Sequence, residues 1–381
     1  MPLQLLHQVG HNSNWNIESF EKDHCGDGLI LSPLHQTMSA VEKLNPETRR
    51  VSIFDPQFYL PSSRKPKLLS YPFFPESLGG GFQTSTFKAQ VKPVAEACIR
   101  FQIEQGFRKL VIPTRFIDQM YSDYFDRQRQ FTVEAFMEAA GSRPLCLSVA
   151  VTSSMIQDSG FRTKLLNWIT SYPNVEEVYL LYQHVRDTKQ IQDADFLRAC
   201  YRFFGEIAAS GLGLTVGYSN VEGLLFSTVG DITLTMGAFE NTRIFSIDKF
   251  LVSEEERRGP KARIYLSGLL NWVQFEDART IRTRAPKVWS TVYEGTPYSE
   301  QVLQLAVEPT FNQPQLYKHY FSNMHDHFDT LRPMSADERK AHIVQRLNHA
   351  KSSYAALERQ GIQLERHGRG GHIQAWLQSF Q

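Results

Sequence analysis

The chain has 381 residues, 41% of them hydrophobic, with 41 Lys or Arg against 40 Asp or Glu and a formal net charge of +1. So even a balance gives no global pull toward nucleic acid or an anionic membrane, and any such attraction must come from a local patch. The aromatic share of 12%, with 26 Phe, supplies both core volume and flat stacking surface.

Short β-rich apolar runs alternate with helix-length segments from residue 28 to about 268. In chain order the runs are GLILSP (28–33), VSIFDP (51–56), KLVIPT (109–114) and LCLSVAVT (145–152). EVYLLY (177–182), LGLTVG (212–217), DITLTMG (231–237) and RIYLSG (263–268) follow. They are nearly continuously hydrophobic, the pattern of parallel strands buried on both faces. Between them, residues 94–107, 131–141 and 161–172 carry apolar positions at three- and four-residue spacing and predict amphipathic helices. Residues 193–211 open with an Asp cap and end at a glycine, as a helix should. Eight strands with crossover helices predict an α/β (β/α)8 barrel over residues 1–268, with an open doubly wound sheet as the alternative. No GxGxxG follows the first predicted strand, which disfavours the dinucleotide-binding form of that alternative.

Two segments fall outside the repeating unit. Residues 56–90 lengthen the second strand–helix connection far beyond ordinary loops, and long ordered loops are usually functional. Residues 269–381 form a C-terminal extension, mostly helical and packed on the barrel. Within it, residues 335–361 start with a capping box, Ser335 with Glu338, and carry an apolar stripe of Ile343, Leu347, Ala350, Tyr354 and Leu357. The tail 367–380 pairs a Gly/Arg turn with an amphipathic end.

Chemistry in a barrel of this kind gathers just past the strand ends. That rule selects His35, Asp55, Thr114, Arg115, Thr152, Gln183, His184, Tyr218, Asn220, Glu222, Asn241 and Arg243. Asp55, in SIFDPQFY, stands at a strand end before a proline and serves either as base, nucleophile and anchor or as a turn cap. His184 is a candidate proton carrier near neutral pH. Arg115 and Arg243 suit a forked grip on phosphate or carboxylate, or salt bridges to Asp118 and Glu240. Asn220 and Glu222 either line a site or open the segment VEGLLFSTV. Gly217 and Gly237 are expected to let the backbone turn tightly at the rim.

The run ARTIRTRAPK places Arg279, Arg282, Arg284 and Lys287 together without an acid, enough to neutralise a few phosphates of RNA or DNA. The duller reading is a solvated face balanced by SEEE at 253–256. Residues 331–381 add eight Lys or Arg against four Asp or Glu, and the C-terminal helices are a candidate protein-partner surface. The four cysteines, Cys25, Cys98, Cys146 and Cys200, form no CxxC pair, so reduced thiols are expected and no metal or cofactor is. The opening MPLQLLHQVGHNSNW has neither a basic leader nor a long apolar core, and no apolar run approaches the roughly 20 residues of a membrane span. The expected address is cytoplasmic, without membrane contact.

Three glycines in YPFFPESLGGGFQTSTF follow two prolines and several aromatics, a costly place for residues that lose so much backbone freedom on folding. GGGFQ (79–83), GLTVGY (213–218) and RIYLSG (263–268) resemble three motifs of the tRNA-guanine transglycosylases, in the same order and at similar distances. That family is a (β/α)8 barrel that exchanges a guanine base in RNA through an aspartate nucleophile. The resemblance implies that Phe82 stacks on a base, that Gly80, Gly81 and Gln83 shape its pocket, and that backbone near Gly213–Gly217 reaches the base edge. Leu78 replaces the carboxylate that opens the family's glycine motif, and no CxC…CxxC…H zinc cluster is present. Asp55 and Asp277 are the available nucleophile candidates, Asp277 lying close behind the last motif. Together these features predict an enzyme acting on a nucleobase- or nucleoside-type substrate, with transglycosylase-like base exchange on nucleic acid. The alternative is a non-catalytic barrel subunit that binds nucleotide or nucleic acid within an assembly.

Overall fold

The computed structural model describes residues 2–78, 81–252 and 259–381. Eight parallel strands form a nearly closed barrel: β1 (Gln4–Gln8), β2 (Leu29–Leu31), β3 (Ile53–Phe54), β4 (Leu110–Ile112), β5 (Leu145–Thr152), β6 (Val175–Gln183), β7 (Gly213–Val216) and β8 (Thr233–Gly237). Their order around the sheet is β3-β2-β1-β8-β7-β6-β5-β4. The two end strands meet through the Arg108 amide, which donates to the Ser52 carbonyl at 3.0 Å. The (β/α)8 expectation therefore holds, and the open doubly wound sheet does not.

Two strand assignments need correction. The first barrel strand is QLLHQ at Gln4–Gln8, which pairs with β8 from Gln4↔Thr233 to Gln8↔Gly237 and with β2 on its other side. Its three polar residues, Gln4, His7 and Gln8, hide it from a search for apolar runs, yet His7 and Gln8 are buried. RIYLSG, read from sequence as the eighth strand, is not in the barrel. Arg263–Leu266 (β9) pairs antiparallel with Asn271–Gln274 (β10), reversed through Leu270 in a left-handed conformation at φ +51°. This hairpin packs with the C-terminal helices, so the last barrel strand ends at Gly237.

The helices follow the predicted periodicity with shifted ends. Residues 94–107 belong to a longer helix, Thr84–Gln105, ended by Gly106 at φ +70°. Asp193 caps Ala194–Ala209 by accepting from the Phe196 amide at 2.9 Å, and the Ser335/Glu338 capping box starts Ala336–Arg359 as expected. The long connection after β3 is no open loop: Phe58, Tyr59, Tyr71, Phe73 and Phe74 are all buried in the core.

The C-terminal apolar stripe is consumed internally. Ile343, Leu347, Ala350 and Leu357 are buried, and Tyr354 donates to the carbonyls of Leu269 and Gly368. The tail helix Gly371–Ser379 docks through Trp376, whose indole N–H donates to the Ile191 carbonyl at 2.9 Å. This stripe is therefore spent on packing within the chain. The four cysteines are buried free thiols. No described helix is long and apolar enough to cross a membrane.

Candidate active site

Asp55 follows the two-residue β3 directly, its amide making the last ladder bond to the Leu31 carbonyl at 2.8 Å before Pro56 stops the strand. Its side chain points into the barrel end and is fully buried. Oδ1 accepts from Tyr59 Oη at 2.9 Å and from the Gln57 amide at 3.0 Å, whereas Oδ2 is buried with no hydrogen-bond partner. Burial raises the carboxyl pKa to about 7, against the pull of the Tyr59 and Gln57 bonds. A group that titrates near neutrality with one oxygen free can give or take a proton.

Around it lies a polar lattice drawn from its own strand end and from three other strands, β1, β6 and β7. Gln57 Nε2 donates to Tyr218 Oη at 3.0 Å, and Gln8 Oε1 accepts from Tyr179 Oη at 3.1 Å. Gln57 and Tyr218 both have left-handed backbones, at φ +57° and +54°. Such conformations cost about 1–3 kcal/mol each in a non-glycine residue and persist only where surrounding structure enforces them. Gly217 makes room for the lattice, since a Cβ there would lie 2.5 Å from the Tyr179 ring. Phe245 closes the wall, with ring centroids 5.5 Å from Tyr59, 5.5 Å from Tyr218 and 5.8 Å from Phe116.

Lys249 enters this enclosure from the turn Ile247–Phe250 beyond β8. Gln183 Oε1 accepts from the Ile247 amide at 2.8 Å, and Ser63 Oγ donates to the Phe250 carbonyl at 2.5 Å, so both ends of the turn are pinned. Nζ sits 3.2 Å from the centroid of the Tyr218 ring and is buried without a hydrogen-bond partner. Burial holds the amine well below its ordinary pKa, with the Asp55 charge acting in the opposite sense. Both partners thus favour their neutral forms, as expected when desolvation outweighs attraction between two groups that do not bond each other. Half-buried His35, also near Lys249, is driven down to about 3 by burial and then by the charges of Lys249 and Lys67.

The other predicted residues share this end of the barrel but not this enclosure. Arg115 turns toward the outer helices, 5.5 Å from the Phe131 ring and 3.4 Å from Thr84 Oγ1. Half-buried His184 stacks on Phe196 at 4.4 Å, and burial with the Arg186 charge lowers it to about 4. Arg243 is boxed between the barrel and the C-terminal layer, 4.3 Å from the Trp272 ring and 5.5 Å from Tyr320. Asn220 donates to the Lys189 carbonyl and to Gln190, a structural tie, and Glu222 forms a buried ion pair with Arg186 at 3.0 Å. Thr114 bonds Ser148, and Thr152 caps the short helix Ser153–Gln157. Exposed Asn241 lines a separate cavity of about 470 Å³ with His11, Phe239 and Phe311.

Two further placements correct the sequence reading. Asp277 stands on the helix Phe275–Arg284, outside the barrel, where its carboxylate accepts from the Glu365 amide at 3.2 Å. Phe82 packs on Phe87 and Phe131 at 5.4 and 6.1 Å, so its ring joins the outer aromatic core and not the wall around Asp55. Gly81 has φ +78° and exposed Gln83 is the N-cap of Thr84–Gln105; Gly80 and the SEEE run lie outside the described residues. Arg279, Arg282, Arg284 and Lys287 are all exposed, forming a basic face on and just after the Phe275–Arg284 helix. Sequence reasoning missed Gln8, Gln57, Tyr59, Tyr179 and Lys249. Gln57 and Tyr59 were within reach, two and four residues past the aspartate already selected.

Fold and site together define a (β/α)8 barrel whose C-terminal mouth encloses an acid and an amine within an aromatic wall. No family model, no curated protein and no solved structure matches the chain. Among the described residues no group of three or more His, Cys, Asp and Glu is arranged to hold a metal ion.

Proposed function

We propose that the protein is a barrel enzyme acting on a nucleobase- or nucleoside-type substrate at this mouth, with Asp55 as its acid–base or nucleophilic group. The observation that carries the reading is the buried Asp55 carboxyl with one unpartnered oxygen at a strand end. Leaving such an oxygen unsatisfied costs about 1–3 kcal/mol, a cost that a purely structural aspartate has no reason to retain. The edge-to-face rings of Tyr218 and Phe245, 5.5 Å apart, supply aromatic surface suited to a planar ligand, and a carboxylate beside them suits chemistry at a glycosidic carbon. The exposed basic face of Arg279, Arg282, Arg284 and Lys287 supports a polynucleotide form of the substrate and, with it, base exchange of the transglycosylase kind. Exchange within a polynucleotide requires the base to leave its stack.

The second reading is a non-catalytic barrel subunit, and the complete enclosure of Asp55 favours it. Incubation with labelled guanine and either RNA or DNA, followed by counting of label in the polymer, separates the two. The enzyme reading requires incorporation that falls about 100-fold or more in Asp55→Asn and persists in Asp277→Asn. Guanine binding without incorporation, unchanged in Asp55→Asn, is the result of the binding subunit.

A further inference from the structure

We propose that Lys249 is an amine nucleophile that captures an aldehyde or ketone as an imine. An ordinary lysine lays its stem on the protein and keeps its ammonium in water. Lys249 does the reverse: its residue surface is partly exposed while Nζ is turned inward and buried. Among the described residues no acceptor meets the three N–H donors that a charged ammonium would present. Its neighbours are ring faces, Tyr218 at 3.2 Å and Phe245 and Phe250 at 5.1 and 5.2 Å. The turn that carries it is fixed by Gln183 and Ser63, so the amine is held in place and not left to swing. A lysine desolvated in an apolar pocket is an activated nucleophile.

The step balances with the groups present. The Nζ lone pair attacks the carbonyl carbon, and the carbonyl π pair passes to oxygen, which takes a proton from the protonated carboxyl of Asp55. Nitrogen then returns a proton to Asp55. The carbinolamine expels its hydroxyl as water with a second proton relayed by Asp55, and the nitrogen pair closes the C=N bond. Both amine protons end in the water released, and Asp55 finishes as it began. This inference goes beyond the reading above, because it needs the enclosed mouth but not a nucleobase. The two are compatible, since a pentose freed from its base presents an aldehyde at C1 in its open form.

The test is reductive trapping of the full chain at pH 7 with glycolaldehyde and cyanoborohydride, read by peptide mass mapping. The expected result is a first adduct on Lys249, in preference by about tenfold or more to exposed lysines such as Lys43 and Lys88, which lack the desolvated setting that activates an amine. Asp55→Asn is expected to slow trapping at Lys249 while leaving the surface lysines unchanged; equal rates would overturn the proton-transfer role given to Asp55. Label that follows surface exposure and spares Lys249 in the wild-type chain overturns the proposal itself. Because the probe contains no base, failure of guanine incorporation leaves this outcome untouched, and the two readings stand or fall separately.

Discussion

Gln57 and Tyr218, 161 residues apart, are the two left-handed residues of the barrel mouth, and they are bonded to each other, Gln57 Nε2 donating to Tyr218 Oη at 3.0 Å. The bond ties the end of β3 to the end of β7 and holds the Tyr218 ring beneath Lys249. Strain gathered at two facing positions is the behaviour of a site whose geometry is enforced from outside.

Tyr218→Phe removes the acceptor and leaves the Gln57 amide buried without it. We expect a loss of about 1–3 kcal/mol in urea unfolding, the cost of one orphaned polar group. The ring remains for Lys249, so lysine trapping should persist in this variant. A neutral effect on stability would show that the amide finds another partner.

Asp55 makes a signed prediction about pH. Its folded pKa, about 7, lies above its ordinary 3.8, so the native state holds a proton that the unfolded chain has already released. Its contribution is fully present below pH 3.8 and is lost as the pH rises through about 7. At about 1.4 kcal/mol per unit the upper limit is on the order of 4 kcal/mol. Buried His7 and His319 and half-buried His184, each lowered to about 4, act in the opposite sense and withdraw stability as the pH falls below their ordinary 6.5. Subtracting the unfolding free energies of wild type and Asp55→Asn between pH 4 and 8 isolates the aspartate. The difference should move in favour of Asn as pH rises, and a flat difference would mean that Asp55 titrates in its ordinary range.

How much of this was legible in the sequence depends on which residues carried the signal. β5 and β6 are long, apolar and buried, so their runs announced themselves. β1 is five residues with a glutamine at each end, and its inward Gln8 belongs to the site, not the core pattern that a strand search looks for. RIYL reads as a buried strand because it is one, but its partner is β10 and no local feature distinguishes a hairpin from a barrel closure. Asp55 was found because strand-end position and residue type coincide. Lys249 was not, because SIDKF reads as a surface turn until Gln183 and Ser63 fold it inward. Arg243 shows the converse, standing past β8 with its side chain packed on Trp272 and away from the mouth, and Asp277 follows a strand that lies outside the barrel.

Arg243 is buried among Trp272 and Tyr320 with Nε and Nη1 unpartnered. If its role is to fill that box, Arg243→Met should fold with stability within about 1–2 kcal/mol of wild type, or higher, since an apolar side chain of similar volume replaces a desolvated charge. Guanine and nucleic-acid binding should be unchanged. A selective loss of binding without loss of stability would return Arg243 to the site.

The basic face is tested by salt. If Arg279, Arg282, Arg284 and Lys287 each meet a phosphate, the slope of log affinity against log salt should fall by about 3–4 units when all four are changed to Ala. An unchanged slope would place polynucleotide contact elsewhere or nowhere.

The claim on which the functional reading rests is that the enclosure around Asp55 receives the substrate. A crystal of the protein soaked with guanine or 7-deazaguanine is the most direct measurement. Density stacked on Tyr218 or Phe245, with a ring nitrogen at hydrogen-bond distance from Asp55 Oδ2, is the predicted result. Density confined to the Asn241 cavity, or an Asp55 enclosure unchanged at saturating ligand, would contradict it.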